Sequence, residues 1–183
     1  MVAEAPVIRA VRDLRPLVSA VLLAWGCFAL IGGCAGLPHS EPGEALRISE
    51  ISHLGDARRQ ASMRLVVEGL DAEIASKPSR ALSRYQRAIQ IDPGNSFAYL
   101  ALARHYAAIA DPERALEHLD RARSLLDPDS ALYRGAEPHL LGLRGRAFAE
   151  AGRPADAGPL LAEARRLAPS VWGDGRLDAS ELR

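Results

Sequence analysis

Few of the residue types that carry enzyme chemistry occur here in a catalytic or metal-binding pattern. The two cysteines, Cys27 and Cys34, both lie within the first 34 of 183 residues, which excludes a thiolate zinc site further along the chain. No GxSxG, HExxH, P-loop or dinucleotide fingerprint occurs. The sequence therefore predicts a protein that is not an enzyme and needs no cofactor or metal. The histidines also lack the spacing of metal ligands: His39, His53, His105, His118 and His139.

Charge and composition exclude one class of partner and favour one fold class. The formal net charge is zero, so no overall positive field attracts the chain to nucleic acid. The chain is rich in alanine and leucine, and aromatic residues make up only 5% of it. This composition is typical of a helical protein.

The N-terminal 33 residues have the pattern of an export signal. Residues 1–15 carry three arginines, the run from Pro16 to Gly33 has no charge, and Cys34 follows. A basic region, an apolar region and small residues before a cleavage site are typical of secretory signals. The residues Ile31-Gly32-Gly33-Cys34 resemble the lipobox of bacterial lipoproteins. The resemblance implies lipidation of the Cys34 sulfur and removal of residues 1–33 as a lipoprotein signal peptide.

Two other interpretations of this segment stay open. Cys27 follows Ala24-Trp25-Gly26, where a bulky Trp suits a cleavage site poorly. Alternatively, an uncut run of about 18 apolar residues is just long enough to anchor the chain in the inner membrane. Ala35, rather than Asp, follows Cys34, which resembles enterobacterial lipoproteins sorted to the outer membrane. We therefore expect an outer-membrane lipoprotein facing the periplasm, with residues 34–45 as a tether.

The remainder of the chain contains a repeated pattern. The stretches RALSRYQRAIQIDPGN (80–95) and RALEHLDRARSLLDPDS (114–130) align, and ADAGPLLAEARRLAPS (155–170) matches more loosely. Each has two alanines seven residues apart around a larger residue, and a proline three residues before the first alanine. Because proline is favoured at the first position of a helix, we expect helices to begin at Pro78, Pro112 and Pro154. Shared spacing of this kind indicates a helical array.

This pattern resembles the tetratricopeptide repeat, a helix-turn-helix unit of 34 residues. The resemblance implies an all-α fold, a short right-handed α-solenoid of about three such units with flanking cap helices. We place the units at 62–95, 96–129 and 138–171, an insertion at 130–137, an N-terminal cap helix at 46–61 and a C-terminal cap or tail at 172–183. Small and large residues that let paired helices pack closely are Ala81, Tyr85, Ala88, Tyr99, Leu102, Ala103, Tyr106, Ala115, Leu119, Ala122, Phe148, Ala157, Leu161 and Ala164.

In this family the first helix of each unit lines a concave groove that holds a partner peptide or helix. The groove positions carried over to this sequence are Met63, Val66, Leu70 and Ile74 from the first unit, Phe97, Leu100, Arg104 and Ala108 from the second, and His139, Gly142, Arg146 and Glu150 from the third. Such a groove suits an apolar segment with a carboxylate that pairs with the two arginines. Alternatively, the apolar residues pack on the N-terminal cap helix and the arginines form a solvated face. The insertion with Tyr133 and Arg134 is either a partner contact or a linking loop or extra helical turn.

Together these features predict a non-catalytic, membrane-anchored scaffold or adaptor that binds a protein partner in the bacterial envelope and aids assembly of an envelope complex. Two alternatives stay open. One is a periplasmic scaffold anchored in the inner membrane, and the other is an accessory or regulatory subunit of a cell-wall enzyme.

Overall fold

The computed structural model describes residues 45–183; the predicted signal peptide, Cys34 and the tether up to residue 44 lie outside the described residues. Within residues 45–183 there are helices and no strands, so the predicted all-α class is confirmed for this part of the chain. None of these helices is both long and apolar enough to span a bilayer. In chain order they are α1 (Ile48–Ile51), α2 (Ala57–Ile74), α3 (Pro78–Ile91), α4 (Ser96–Ala108), α5 (Pro112–Ser124), α6 (Ala131–Glu150), α7 (Pro154–Leu167), α8 (Pro169–Trp172) and α9 (Ala179–Leu182).

The longer helices pack as three adjacent pairs, α2 with α3, α4 with α5, and α6 with α7. The pairs stack on one another through α3 with α4 and α5 with α6, and the first helices of the pairs, α2, α4 and α6, also contact each other in that order. Stacked helix pairs in which each pair contacts its neighbour are the architecture of a helical solenoid. The structure therefore confirms the predicted solenoid.

Local signals set where the helices begin. The second helices α3, α5 and α7 begin at the expected prolines, whose missing N–H would be unpaired in the first turn anyway. Each first helix begins after a side chain that accepts a backbone N–H. Asp56 accepts from Arg59 at 2.8 Å, Asn95 from Phe97 at 3.1 Å, and Ser130 from Tyr133 at 3.0 Å.

The turn inside each pair has one backbone geometry, repeated three times. Ser76, Ala110 and Gly152 have φ of 57°, 57° and 72°, and after each the next N–H donates to a carbonyl five residues back, at 2.8, 2.9 and 2.8 Å. Ser76 and Ala110 are 34 residues apart, the length of one repeat, whereas Ala110 and Gly152 are 42 apart. The third unit is therefore longer by eight residues.

Two boundaries differ from the prediction. Helix α2 begins at Ala57 rather than at residue 62, because Asp56 caps it, and the predicted cap helix 46–61 is reduced to the four residues of α1. Residues 131–137 are not a separate insertion but the first turns of the 20-residue helix α6, which continues through Pro138. The segment therefore forms extra helical turns rather than a linking loop.

The helix pairs approach closely at glycines on the first helices. A Cβ on Gly69 would lie 2.3 Å from a ring atom of Tyr85, and one on Gly145 would lie 2.9 Å from Leu161. Of the predicted packing residues only Tyr99, Phe148 and Leu161 are half-buried, and the others are buried. This close packing fixes the positions of the first helices and of the side chains that they carry.

Candidate partner-binding surface

The inner face formed by α2, α4 and α6 carries all the residues predicted to line a groove. Ile74 and Ala108 are exposed, Arg146 and Glu150 are half-buried, and the others are buried. Two terminal parts of the described chain contact these inner helices: the N-terminal segment, residues 45–51, and the C-terminal strap, residues 173–183.

The N-terminal segment joins the third unit to the first. The Leu46 N–H donates to the Gly135 carbonyl at 3.0 Å, and Nε2 of His139 is 2.9 Å from the Leu46 carbonyl, which it meets as a donor. Further along, α1 packs on α2 and buries Ile48 and Ile51. The segment therefore contacts both end units.

The C-terminal strap begins after α8 and leads from the third unit back to the first unit. Trp172, just before it, is fully buried, and a Cβ on Gly142 would lie 2.4 Å from its ring. Within the strap Leu177 and Leu182 are buried, and α9 packs on α2. The Arg183 carbonyl accepts from the Ser49 N–H at 2.7 Å, so the strap also meets the N-terminal segment. Residues 172–183 thus form a cap rather than a tail.

These contacts correct the expectation of an open groove. The predicted residues lie on the inner face, but the chain's own segments lie against the helices that carry them. Five of the apolar ones belong to the hydrophobic core: Met63, Val66, Leu70, Phe97 and Leu100. His139 is fully buried as well. Burial of these apolar residues agrees with the alternative that they pack within the chain, whereas the buried Arg104 does not fit the solvated face that the same alternative predicted.

The two arginines already have carboxylate partners within the chain. Arg104 forms a buried ion pair with Glu73 on α2, and both side chains are more than nine-tenths buried. Arg146 pairs with Glu150 one turn later on α6, at 2.8 Å. The carboxylate expected from a partner protein is therefore supplied by this chain at both positions.

Glu73 is the centre of a buried polar cluster that sequence reasoning missed. Its carboxylate accepts from Arg104, from the Tyr85 hydroxyl at 3.0 Å and from Nδ1 of His105 at 2.6 Å. Burial lowers the pKa of Arg104 to about 10, with Asp178 opposing the shift, and burial and Arg104 together lower the pKa of His105. His105 is thus neutral near pH 7. The one available signal was an acidic residue on the otherwise apolar inner side of α2.

An open pocket of about 620 Å³ lies beside this cluster, and we call it the edge pocket. Its wall comes from the ends of α2 and α4 and from the start of α9. Ile74 and Ile109 border it and are 51% and 55% exposed. Among residues 45–183, no group of three or more His, Cys, Asp or Glu side chains lies close enough together to hold a metal ion.

His139 makes the fold sensitive to acid. It is fully buried with its Nδ1 unpartnered among the described residues, and burial lowers its pKa to about 4, although the bond to Leu46 opposes the shift. Because the unfolded chain takes up this proton near pH 6.5, the stabilisation is present above that pH and is lost as the pH falls towards 4. We expect the free energy of unfolding to fall by about 2 kcal/mol between about pH 7 and pH 5.

Urea unfolding at both pH values measures this loss. His139→Gln keeps a donor for the Leu46 carbonyl but carries no titrating ring, so its unfolding free energy should change much less between the two pH values. His53→Gln, at an exposed position, should behave as the unmodified chain does. If the unfolding free energy falls by the same amount between pH 7 and pH 5 in the unmodified chain and in His139→Gln, then His139 is not the group that causes the loss.

Comparison with protein families bears on the repeat itself. The family model "Tetratricopeptide repeat" matches residues 74–137, which contain α3, α4 and α5 in full and the first turns of α6. These residues match the tetratricopeptide repeat. The match supports the resemblance stated from the sequence, and tetratricopeptide repeats support a role as a protein–protein interaction scaffold. Comparison with curated proteins gives no match.

Proposed function

We propose that this chain is a non-catalytic scaffold or adaptor, anchored in the bacterial outer membrane through a lipid on Cys34, that binds a protein partner in the periplasm and aids assembly of an envelope complex. The observation that carries the proposal is the stack of helix pairs whose central part matches the tetratricopeptide repeat. Repeats of this kind present extended surfaces to other proteins, and their family is typically non-catalytic.

The proposed anchor would limit the distance between the solenoid and the membrane. Ala45, eleven residues after Cys34, is buried next to the Leu46 contact with α6. Eleven extended residues span at most about 40 Å, so Ala45 would stay within that distance of the membrane. In this proposal the partner meets surfaces that the N-terminal segment and the strap leave free. Binding to the predicted groove residues would require one of these segments to leave.

Replacing Cys34 tests the anchor. We expect the full chain to be found in the outer-membrane fraction with a diacylglyceryl-modified N-terminus, and Cys34→Ser to lose the modification and the cleavage. Cys27→Ser is the matched control and should be processed normally. Sedimentation of the membranes and mass spectrometry of the N-terminal peptide provide the readouts. An unmodified, uncleaved wild-type chain in the inner membrane would overturn the lipid anchor and favour the transmembrane alternative.

Crosslinking in the native envelope tests the scaffold role independently of the anchor. We expect one or a few defined proteins to be captured with the full chain and to be lost when the chain is unfolded by a core substitution. Capture of no specific protein would contradict the scaffold proposal.

A further inference from the structure

We propose that the edge pocket binds an extended segment of a partner protein that carries an apolar side chain next to a lysine or arginine. The proposal rests on the scaffold function proposed above and gives its partner a chemistry. Three features of the pocket carry it, namely exposed apolar side chains, a buried donor without an acceptor, and an uncompensated negative charge.

The exposed apolar side chains are concentrated at this pocket. In residues 45–183 only three large hydrophobic residues have an exposed side chain: Leu54, Ile74 and Ile109. Ile74 and Ile109 are the most exposed of the three, and both border the edge pocket. They lie at the ends of α2 and α4, next to the turns at Ser76 and Ala110. An apolar side chain between the two isoleucines would bury surface that is now in water.

The donor is the guanidinium of Arg104, which lies in the pocket wall with its side chain 8% exposed. Two of its three nitrogens have acceptors: Nη2 bonds the Glu73 carboxylate, and Nη1 bonds the Leu177 carbonyl at 3.5 Å. Nε has no acceptor among the described residues, although it is buried. An unpaired buried donor is unfavourable, so a small shift of the Arg104 side chain that brings Nε to a carbonyl oxygen of an extended peptide in the pocket would be favoured.

The charges of the pocket wall favour a cationic residue next to the apolar side chain of the partner segment. The wall contains the carboxylates of Glu73 and Asp178 and the guanidinium of Arg104, and burial lowers the pKa of His105, which keeps that ring neutral near pH 7. The net charge is therefore negative. Both Glu73 oxygens are occupied by partners, whereas the exposed Asp178 forms no ion pair within residues 45–183. A lysine or arginine would pair with Asp178, and an acidic segment would be repelled.

Two charge-swapped peptides test the proposal on the full chain purified in mild detergent. The probes are fluorescein-labelled Ser-Gly-Ile-Lys-Gly-Ser and Ser-Gly-Ile-Glu-Gly-Ser, measured by fluorescence anisotropy. We expect saturable binding of the lysine peptide, at least roughly fivefold tighter than that of the glutamate peptide. Asp178→Asn keeps a residue able to cap α9 but removes the charge, so it should abolish most of this preference.

Ile109→Glu tests the apolar wall and should weaken binding of the lysine peptide more than roughly tenfold. It is expected to fold normally because Ile109 is 55% exposed, and circular dichroism checks this. Leu54→Glu changes an exposed residue that does not line the pocket and should leave binding unchanged. Equal affinity for the two peptides, no saturable binding, or unchanged binding by a folded Ile109→Glu would each overturn the proposal.

The same variants separate this proposal from the scaffold function. If proteins captured in the envelope remain bound to Ile109→Glu, the scaffold stands and the edge pocket is not its partner site. If the lysine peptide binds with the expected preference but no envelope protein is captured, the pocket stands and the scaffold function is overturned.

Discussion

Glu73→Ala will lower the free energy of unfolding by about 3–5 kcal/mol, because it leaves the Arg104 guanidinium buried without its counter-charge. Both side chains of this ion pair are more than nine-tenths buried, so water does little to screen the loss. The same substitution removes the acceptor of the Tyr85 hydroxyl and of His105 Nδ1, which adds to the loss. Chemical denaturation at neutral pH measures the change.

A second ion pair on the same helix provides the matched control. Glu68 on α2 pairs with Arg84 at 3.2 Å, but the two side chains are 52% and 37% exposed. Glu68→Ala should therefore change the unfolding free energy by less than about 1 kcal/mol. Glu73→Gln should be intermediate, since it keeps acceptor capacity and loses the charge. If Glu73→Ala and Glu68→Ala unfold at the same denaturant concentration, the buried cluster is not as described.

Trp172→Ala will be comparably destabilising, by about 3–5 kcal/mol, because it removes a large fully buried side chain and leaves a cavity. Trp172 follows the last repeat helix and packs on Gly142 of α6, so its loss also uncovers the point from which the strap begins. Thermal and urea unfolding of the variant measure the change. An effect below about 1 kcal/mol would show that the indole is not packed in the core.

Two glycines give this second prediction an internal control. A Cβ on Gly142 would lie within 2.5 Å of three Trp172 ring atoms, whereas one on Gly158 in α7 would meet nothing within 4 Å. Gly142→Ala should therefore destabilise the fold by about 1–3 kcal/mol, and Gly158→Ala should stabilise it by up to about 1 kcal/mol. With Trp172→Ala in the background, Gly142→Ala should lose most of its effect, because the clashing ring is gone.

The sequence predicted the features that depend on neighbouring residues. Proline at the first helical position acts within a few residues, and the repeat spacing can be read directly from the sequence, so the solenoid could be derived from them. The predicted start of the third unit at residue 138 is wrong, because α6 begins at Ala131, where Ser130 caps it, and continues through Pro138.

The covering of the inner face could not be predicted in this way, because it depends on contacts between residues far apart in the sequence. Arg104 meets Glu73 across 31 residues and Leu177 across 73 residues. The strap has only a four-residue helix and two leucines in a polar stretch, which leaves no periodicity for a pattern to detect. Sequence reasoning therefore identified the residues of the inner face and their helices but assigned them the wrong neighbours.

The bond between the Ser49 N–H and the Arg183 carbonyl changes how the array holds together. In an open stack each unit depends only on its neighbours, so the terminal units can detach one at a time. Here residues 45–51 contact both the first and the third unit, and the strap, which follows the third unit, also contacts the first. We therefore expect the three units to unfold together in one cooperative step.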